Sequence, residues 1–451
     1  MNWLQLLTGD EKQNGESFGT GRSAFERDYD RIVFSHPFRR LQDKTQVFPL
    51  PEHSFVHTRL THSIEVSSVA RSLGKEVGEK ILQKEHELTN KGINLYDFGA
   101  ITGAAALAHD IGNPPFGHSG EDAISDFFRH HPKVSDLSGL YSTAQWEDLC
   151  NFEGNAQGFR LLNQKGYQGL KLKAPTLAAF TKYPRESLMN EQDKKRRSQK
   201  KYGFFQSEKE IFADIARSLG LRKLGGEEEM AWCRHPLAFL VEAADDICYN
   251  VIDLEDGCRL GFVSFEEARD LLADLLGDSY DASKLERYRS VSEKIGTLRA
   301  LAIGRLIGQC TDLFIEKEGD ILSGAYDTSL TDDIPASNTL GRISAISVEK
   351  IYRAQPVKER EMAGFEVLGG LLSAFIPAAF STAGLKDLFG NSKKHTVAAR
   401  LLPEEVHYAI KEADKDAYRI TLAIVDYVSG MTDRHAVSVY RRLMGISLPV
   451  V

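Results

Sequence analysis

Four side chains able to ligate a metal ion stand far apart along the chain: His62, the adjacent pair His109-Asp110, and Asp245. Imidazole nitrogens and carboxylate oxygens suit a hard or borderline divalent ion; the set does not name it, and Mg, Mn, Fe, Co, Ni or Zn are all conceivable. Such an ion polarises a phosphoryl oxygen and orients a water, the requirements of metal-assisted hydrolysis. Asp246 adjoins Asp245 and is an alternative fourth ligand. Attack at phosphorus also needs positive charge for the nonbridging oxygens. Arg59, three residues before His62, stands where it could serve a phosphate or an ordinary surface ion pair. His118 and Glu121 have a spacing that shares one face of a helix. A carboxylate there raises the basicity of an imidazole and makes it a general acid/base; the plainer alternative is that His118 caps the helix after the Pro114-Pro115 turn. Asp245, Tyr249 and Asp253 follow at steps of four, each drifting about 40° around a helix. One face thus presents a ligand, a ring and a carboxylate in a row.

The elements that must position these groups read as helices. From His62 onward, just after Arg59–Ser63, residues Val66, Val69, Ala70, Leu73, Val77 and Ile81 fall on one face. Asp97–Ala108 is a helix rich in small residues, suited to a bundle centre, and His109-Asp110 closes it before two prolines that cannot continue it. Pro236 opens a helix whose stripe includes Leu237, Leu240, Val241, Ala244, Ile247, Cys248, Val251 and Ile252. Helices are also expected over Phe265–Leu276, Leu285–Lys317, Ser347–Ala354, Met362–Phe380, Thr396–Tyr408 and Asp414–Ser429. The only strand signal is a short hairpin around Thr45–Phe55. Gly319–Asn338 reads as a loop. Arg185–Lys201, with Lys194, Lys195, Arg196, Arg197, Lys200 and Lys201, reads as a solvated basic loop or an anion or nucleic-acid contact.

The 451 residues, 42% hydrophobic, can bury a substantial core, and no internal repeat is visible. A net charge of −8 gives no overall pull toward nucleic acid. Five cysteines, an odd number without C-x-x-C spacing, argue against a disulfide framework and fit a reducing cytoplasm. Met1–Gly15 lacks the basic start of a signal peptide. The longest apolar run, Leu371–Phe380, is too short to span a bilayer and contains a proline; no membrane association is expected.

The signature His62, His109-Asp110, Asp245 resembles that of HD-superfamily metal-dependent phosphohydrolases. Longer strings narrow the likeness: Arg40–Pro49 (RLQDKTQVFP), Arg59–Ser63 (RLTHS), His109–Glu121 (HDIGNPPFGHSGE), Asn151–Gln157 (NFEGNAQ) and Gly430–Arg434 (GMTDR). Together these resemble bacterial deoxyguanosine triphosphate triphosphohydrolases (dGTPases) and their broader dNTPase relatives, from about Arg22 to the C-terminus. The resemblance implies an all-α fold: an HD-domain helical bundle with additional C-terminal helices and little or no sheet. It implies one HD-type dNTPase domain over 1–451, with the metal-binding HD core at about 57–260 and a C-terminal helical extension at about 261–451.

By the same resemblance, His62, His109, Asp110 and Asp245 bind the metal, and His118 with Glu121 is catalytic. Gln46, Arg59, Lys182, Tyr183, Tyr249 and Asp253 bind substrate. Tyr249 would lie under the sugar where a 2′-hydroxyl would sit, Asp253 would accept from the 3′-hydroxyl, and Gln46 would lie near the sugar and base. Lys182-Tyr183 resembles a phosphate-contacting segment. Glu153, Asn155 and Gln157 carry no individual assignment, and Arg434 approaches a neighbouring subunit or the nucleotide. The implied reaction is water attack on the α-phosphorus of a dNTP, releasing deoxynucleoside and triphosphate in the cytoplasm. A nucleotide activator or single-stranded DNA could act as a further partner, and a homo-oligomer, a hexamer by resemblance, is expected. Two other readings compete: another HD-superfamily nucleotide phosphohydrolase or phosphodiesterase, and a single-stranded nucleic-acid-responsive regulatory protein. The base, the native metal and the assembly size are left open by the residues.

Overall fold

Apolar spacing of three and four residues is met by helix almost throughout. The computed structural model describes residues 1–9, 21–46, 57–135, 137–164, 169–189, 193, 195–226, 229–385, 388–390 and 392–447. Among them the only strands are an antiparallel pair, β1 (Lys223–Leu224) and β2 (Ala231–Trp232), with Lys223 opposite Trp232. The fold is all-α. The expected hairpin around Thr45–Phe55 falls mostly outside the described residues, as does Lys194; Thr45 forms an isolated antiparallel bridge with Thr58.

The helices that position the site are α1 (Arg59–Leu82), α2 (Leu95–Ala108), α3 (His118–His130), α4 (Gly154–Leu162), α5 (Ala174–Phe180), α6 (Pro236–Arg259), α7 (Val291–Glu316), α8 (Gln355–Thr382), α9 (Ala417–Ser429) and α10 (Asp433–Leu443). Thr58 caps α1 in a reciprocal box with Thr61, so the helix starts at Arg59 and His62 lies inside its first turn rather than upstream. The α1–α2 pair packs most extensively of all, because small residues let the backbones approach. A Cβ on Gly74 would lie 2.2 Å from Thr102 Oγ1. Thr102 Oγ1 donates to the Ala70 carbonyl at 2.8 Å, and Ser67 Oγ to that of Gly103 at 2.8 Å. Helices α5, α6 and α7 complete a first apolar cluster around this pair. A second gathers α3, α8, α9 and α10. Helix α4 faces both, with Phe159 and Leu162 in the first and Ala156 in the second.

Several expected boundaries move, each for a local reason. The helix expected over Leu285–Lys317 begins at Val291, where Ser290 and Glu293 form a capping box. The one expected over Thr396–Tyr408 divides into Lys393–Ala399 and Glu404–Glu412, because Pro403 cannot continue a helix. Asp414 and Lys415 take left-handed backbone, with φ of 46° and 65°, and delay α9 to Ala417. The stretch expected as a loop over Gly319–Asn338 instead contains the short helices Glu318–Ser323 and Leu330–Asp333. Ser347–Tyr352 is a π-helical turn. Leu371–Phe380 is only the C-terminal part of α8, of which Val357–Thr382 is long and apolar enough to cross a membrane by length and composition. Its apolar side chains Val367, Leu368, Leu371, Leu372, Phe375 and Ile376 are instead buried in the second cluster. All five cysteines are buried and free.

Candidate active site

Three elements bring the candidate ligands to one point: the first turn of α1, the exit of α2 and the middle of α6. His62 Nε2 lies 3.3 Å from Asp245 Oδ1. His109 Nε2 lies 3.6 Å from the same oxygen and 3.6 Å from Asp110 Oδ2. The ligand atoms of His62, His109 and Asp110 all fall within 4.8 Å of one another. Two atoms each about 2.1 Å from one ion stand about 3.0–3.4 Å apart at tetrahedral or octahedral angles, so this set fits a single ion with little adjustment. His109 Nδ1 contacts the Ala106 carbonyl at 2.6 Å; donation there leaves Nε2 free to ligate. Asp110 Oδ1 accepts from Arg59 at 2.9 Å and from Asn113, whereas Asp110 Oδ2 is buried with no hydrogen-bond partner. A buried carboxylate oxygen left without a donor is costly unless a cation meets it. Asp246 turns away, its Oδ2 accepting from Ser329 and Thr331 at 2.7 Å each. Of the two adjacent acids, Asp245 is the one that faces the histidines.

Burial opposes the charged forms of Asp245, Asp110 and His62, yet attraction from their neighbours outweighs it. The Asp245 carboxyl is held below its usual range by His109, His62 and Lys182, and that of Asp110 by Arg59 and the two imidazoles. The His62 imidazole is held above its usual range by Asp245.

His118 is the first residue of α3 and makes no capping bond, which removes the plainer reading. Its side chain is 82% exposed, and its Nδ1 sits 2.9 Å from Glu121 Oε2. Glu121 Oε1 accepts from the Gly154 amide at 2.8 Å. Hydrogen bonding to Glu121 holds the His118 imidazole above its usual range. Lys201 Nζ lies 3.7 Å from Glu121 and 3.0 Å from Glu153. Glu153 caps α4 by accepting from the Asn155 amide. The loop carrying the Pro-Pro turn is tightly placed. Phe116 and Gly117 have φ of 67° and 64°. A Cβ on Gly112 would lie 2.0 Å from the Gly154 carbonyl oxygen and 2.1 Å from the Gly158 nitrogen. Asp433 holds the loop from the other side, accepting from the Phe116 amide at 3.1 Å and from Thr45 Oγ1 at 2.7 Å. Arg434, beside it, is exposed.

Arg59 is buried in its ion pair with Asp110 rather than forming a surface bridge, and its Nε has no partner. Arg360, on the first turns of α8, brings a second guanidinium whose Nε and Nη1 are buried and unpartnered among the described residues. Arg59 and Asp433 both act on its charge. Lys182 Nζ is 3.2 Å from Glu242, one turn before Asp245 on α6, and 5.8 Å from the centroid of the Tyr183 ring. Glu242 is fully buried, but Lys182, Arg234 and Arg197 hold its carboxyl down to about 2. The basic stretch is therefore partly neutralised on the spot: Arg197 pairs with Glu242 and Arg196 with Asp327, both at 3.0 Å.

Along α6, Tyr249 is 36% exposed and Asp253 is buried. Tyr352 joins them. Its hydroxyl donates to Asp253 Oδ2 at 2.5 Å, and its ring stacks on Tyr249 at 5.5 Å and 22°. Burial pushes the Asp253 carboxyl up to about 7. Gln46 Oε1 is buried without a partner. The structure thus brings His62, His109, Asp110 and Asp245 together, with Arg59 bonded to them and Lys182 close by. Asn113, Lys201, Arg360 and Tyr352 also adjoin these candidates, and spacing had assigned them no role. Lys201 had a signal in the basic run; Arg360 and Tyr352 had none, because they arrive from the other end of the chain.

Comparison with known proteins bears on this arrangement. The HD-domain family matches residues 59–148, and the phosphohydrolase-associated domain matches 336–442. A deoxyguanosinetriphosphate triphosphohydrolase-like protein of Synechocystis is 44% identical, covering 99% of this chain and 100% of its own length. One from Pseudomonas aeruginosa is 38% identical over 100% of both. A deoxyguanosinetriphosphate triphosphohydrolase of Salmonella enteritidis is 32% identical over 94% of each.

Proposed function

The chain belongs to the deoxyguanosinetriphosphate triphosphohydrolase-like family of HD-domain phosphohydrolases, and on that premise we propose that it hydrolyses deoxynucleoside triphosphates to deoxynucleoside and triphosphate. One observation carries the reading. Two histidines and two aspartates converge around a buried, unpartnered Asp110 oxygen, beside exposed His118 and its buried partner Glu121. When bound by His62, His109, Asp110 and Asp245, a divalent ion such as Mg or Mn would supply Lewis-acid polarisation and an oriented water.

The chain's own residues do the rest. Arg59 and Arg360 offer unsatisfied donors to nonbridging oxygens, with Lys182 supplying further positive charge. The water oxygen bonds to the α-phosphorus as the bond from phosphorus to the sugar 5′-oxygen breaks. His118, whose protonated form Glu121 favours, gives its proton to that departing oxygen and recovers one from the water consumed. Tyr249 crowds C2′ and disfavours ribose, while Asp253 and Gln46 receive the sugar and base side. Bulk alone rejects an added hydroxyl only moderately, and loss of a built-in hydrogen bond costs more.

The test is product analysis of the purified protein with Mg or Mn against each dNTP, dNTP mixtures and GTP. Tripolyphosphate from one or more dNTPs, with GTP spared, is the expected outcome. Pyrophosphate or orthophosphate as the first product would overturn the reading in favour of another HD chemistry. Activity only in mixtures would place a nucleotide activator among its partners.

A further inference from the structure

We propose that Tyr352 is a positioning residue for the sugar: it fixes the Asp253 carboxylate by its hydroxyl and the Tyr249 ring by stacking, and so sets preference for a 3′-hydroxyl. The inference rests on the dNTP hydrolysis proposed above. Asp253 lies on a buried stretch of α6, and the Tyr352 hydroxyl, at 2.5 Å, is its one side-chain hydrogen-bond donor among the described residues. That bond takes Oδ2 and leaves Oδ1 for a ligand hydroxyl. A carboxylate that must accept from a substrate needs a fixed torsion, and one donor on one oxygen provides it.

The ring has a second task. It lies nearly parallel to Tyr249, whose own position decides how closely a sugar can approach α6. Both contacts depend on where the π-helical turn Ser347–Tyr352 ends. Such turns interrupt the ordinary ladder and recur at functional sites. Here the turn is anchored by Ile351, fully buried against α6, where a Cβ on Gly257 would lie 2.4 Å from Ile351 Cδ1. A regular α-helical turn, at 3.6 residues per turn, would set residue 352 at a different angle to Asp253.

The test compares Tyr352→Phe with the wild type on each dNTP and its 2′,3′-dideoxy counterpart. Phenylalanine keeps the stack and removes the hydroxyl, with its bonds to Asp253 and to the Tyr249 side chain. The expected result is a KM for dNTPs raised about tenfold, the scale of one lost polar contact, with kcat little changed. Dideoxy substrates should be unaffected, so the preference for a 3′-hydroxyl collapses. Tyr352→Ala should in addition relax discrimination against ribonucleotides. An equal loss on deoxy and dideoxy substrates, or no change on either, would overturn the inference while leaving the triphosphohydrolase reading standing. A wild-type protein without dNTP hydrolysis would overturn both.

Discussion

At the scale of the residue, the sharpest expectation concerns His118. His118→Ala should lower kcat by about 10²–10⁴-fold while nucleotide and metal binding persist, checked by steady-state kinetics alongside calorimetric binding. Retained turnover would remove it as the general acid. Because Glu121 holds the His118 imidazole above its usual range, Glu121→Gln should lower that pKa. A group that must be protonated loses activity as pH rises through its pKa, so the alkaline limb of the kcat profile should move to lower pH in the variant. Arg360 offers a contrasting case. Its buried, unpartnered nitrogens cost the folded state, so Arg360→Ala should raise KM for triphosphate substrates about tenfold without lowering the melting temperature. An unchanged KM would separate it from the phosphates. Candidate ligands and a candidate acid/base pair are legible in this sequence because local strings such as RLTHS and HDIGNPPFGHSGE carry them. Arg360 and Tyr352 are not, since nothing near them in sequence says which buried acid or phosphate they meet.

At the scale of the element, helix existence follows from apolar spacing, and the ends follow from caps. The Thr58–Thr61 box starting α1 and the Pro403 break show how little sequence sets a boundary. What spacing does not reveal is how near two elements come. Gly112 is the clearest instance, since a methyl group there meets the backbone of α4 at 2.0 Å. Gly112→Ala must displace the turn that holds Asp110 and Asn113. It should cost about 1–3 kcal/mol in unfolding free energy and weaken metal binding, read by denaturant titration with and without Mn. A variant as stable as the wild type, with undiminished metal affinity, would contradict the close approach.

At the scale of the whole molecule, the two apolar clusters do not follow chain order. Helix α3 from the HD match packs on α8 from the associated domain, which in turn packs on α9 and α10, and Asp148 sits at that seam. Asp148 is fully buried, accepting from the Gln206 amide at 2.7 Å and from the Tyr418 hydroxyl. Burial pushes its carboxyl up to about 7. Its unfolded value is about 3.9, so the folded chain binds this proton more tightly. Its contribution is fully present below about pH 3.9 and is lost as pH rises through 7. Relative to Asp148→Asn, the wild type should therefore lose on the order of 4 kcal/mol between pH 4 and 8, measured by chemical unfolding across that range. A difference independent of pH would show that Asp148 is ionised when folded. The seam also bears on inheritance. Tyr418 and Asp148 belong to different family modules, yet each is buried against the other. A chimera joining the HD module of one relative to the associated module of another would therefore have to match at the Asp148–Tyr418 seam.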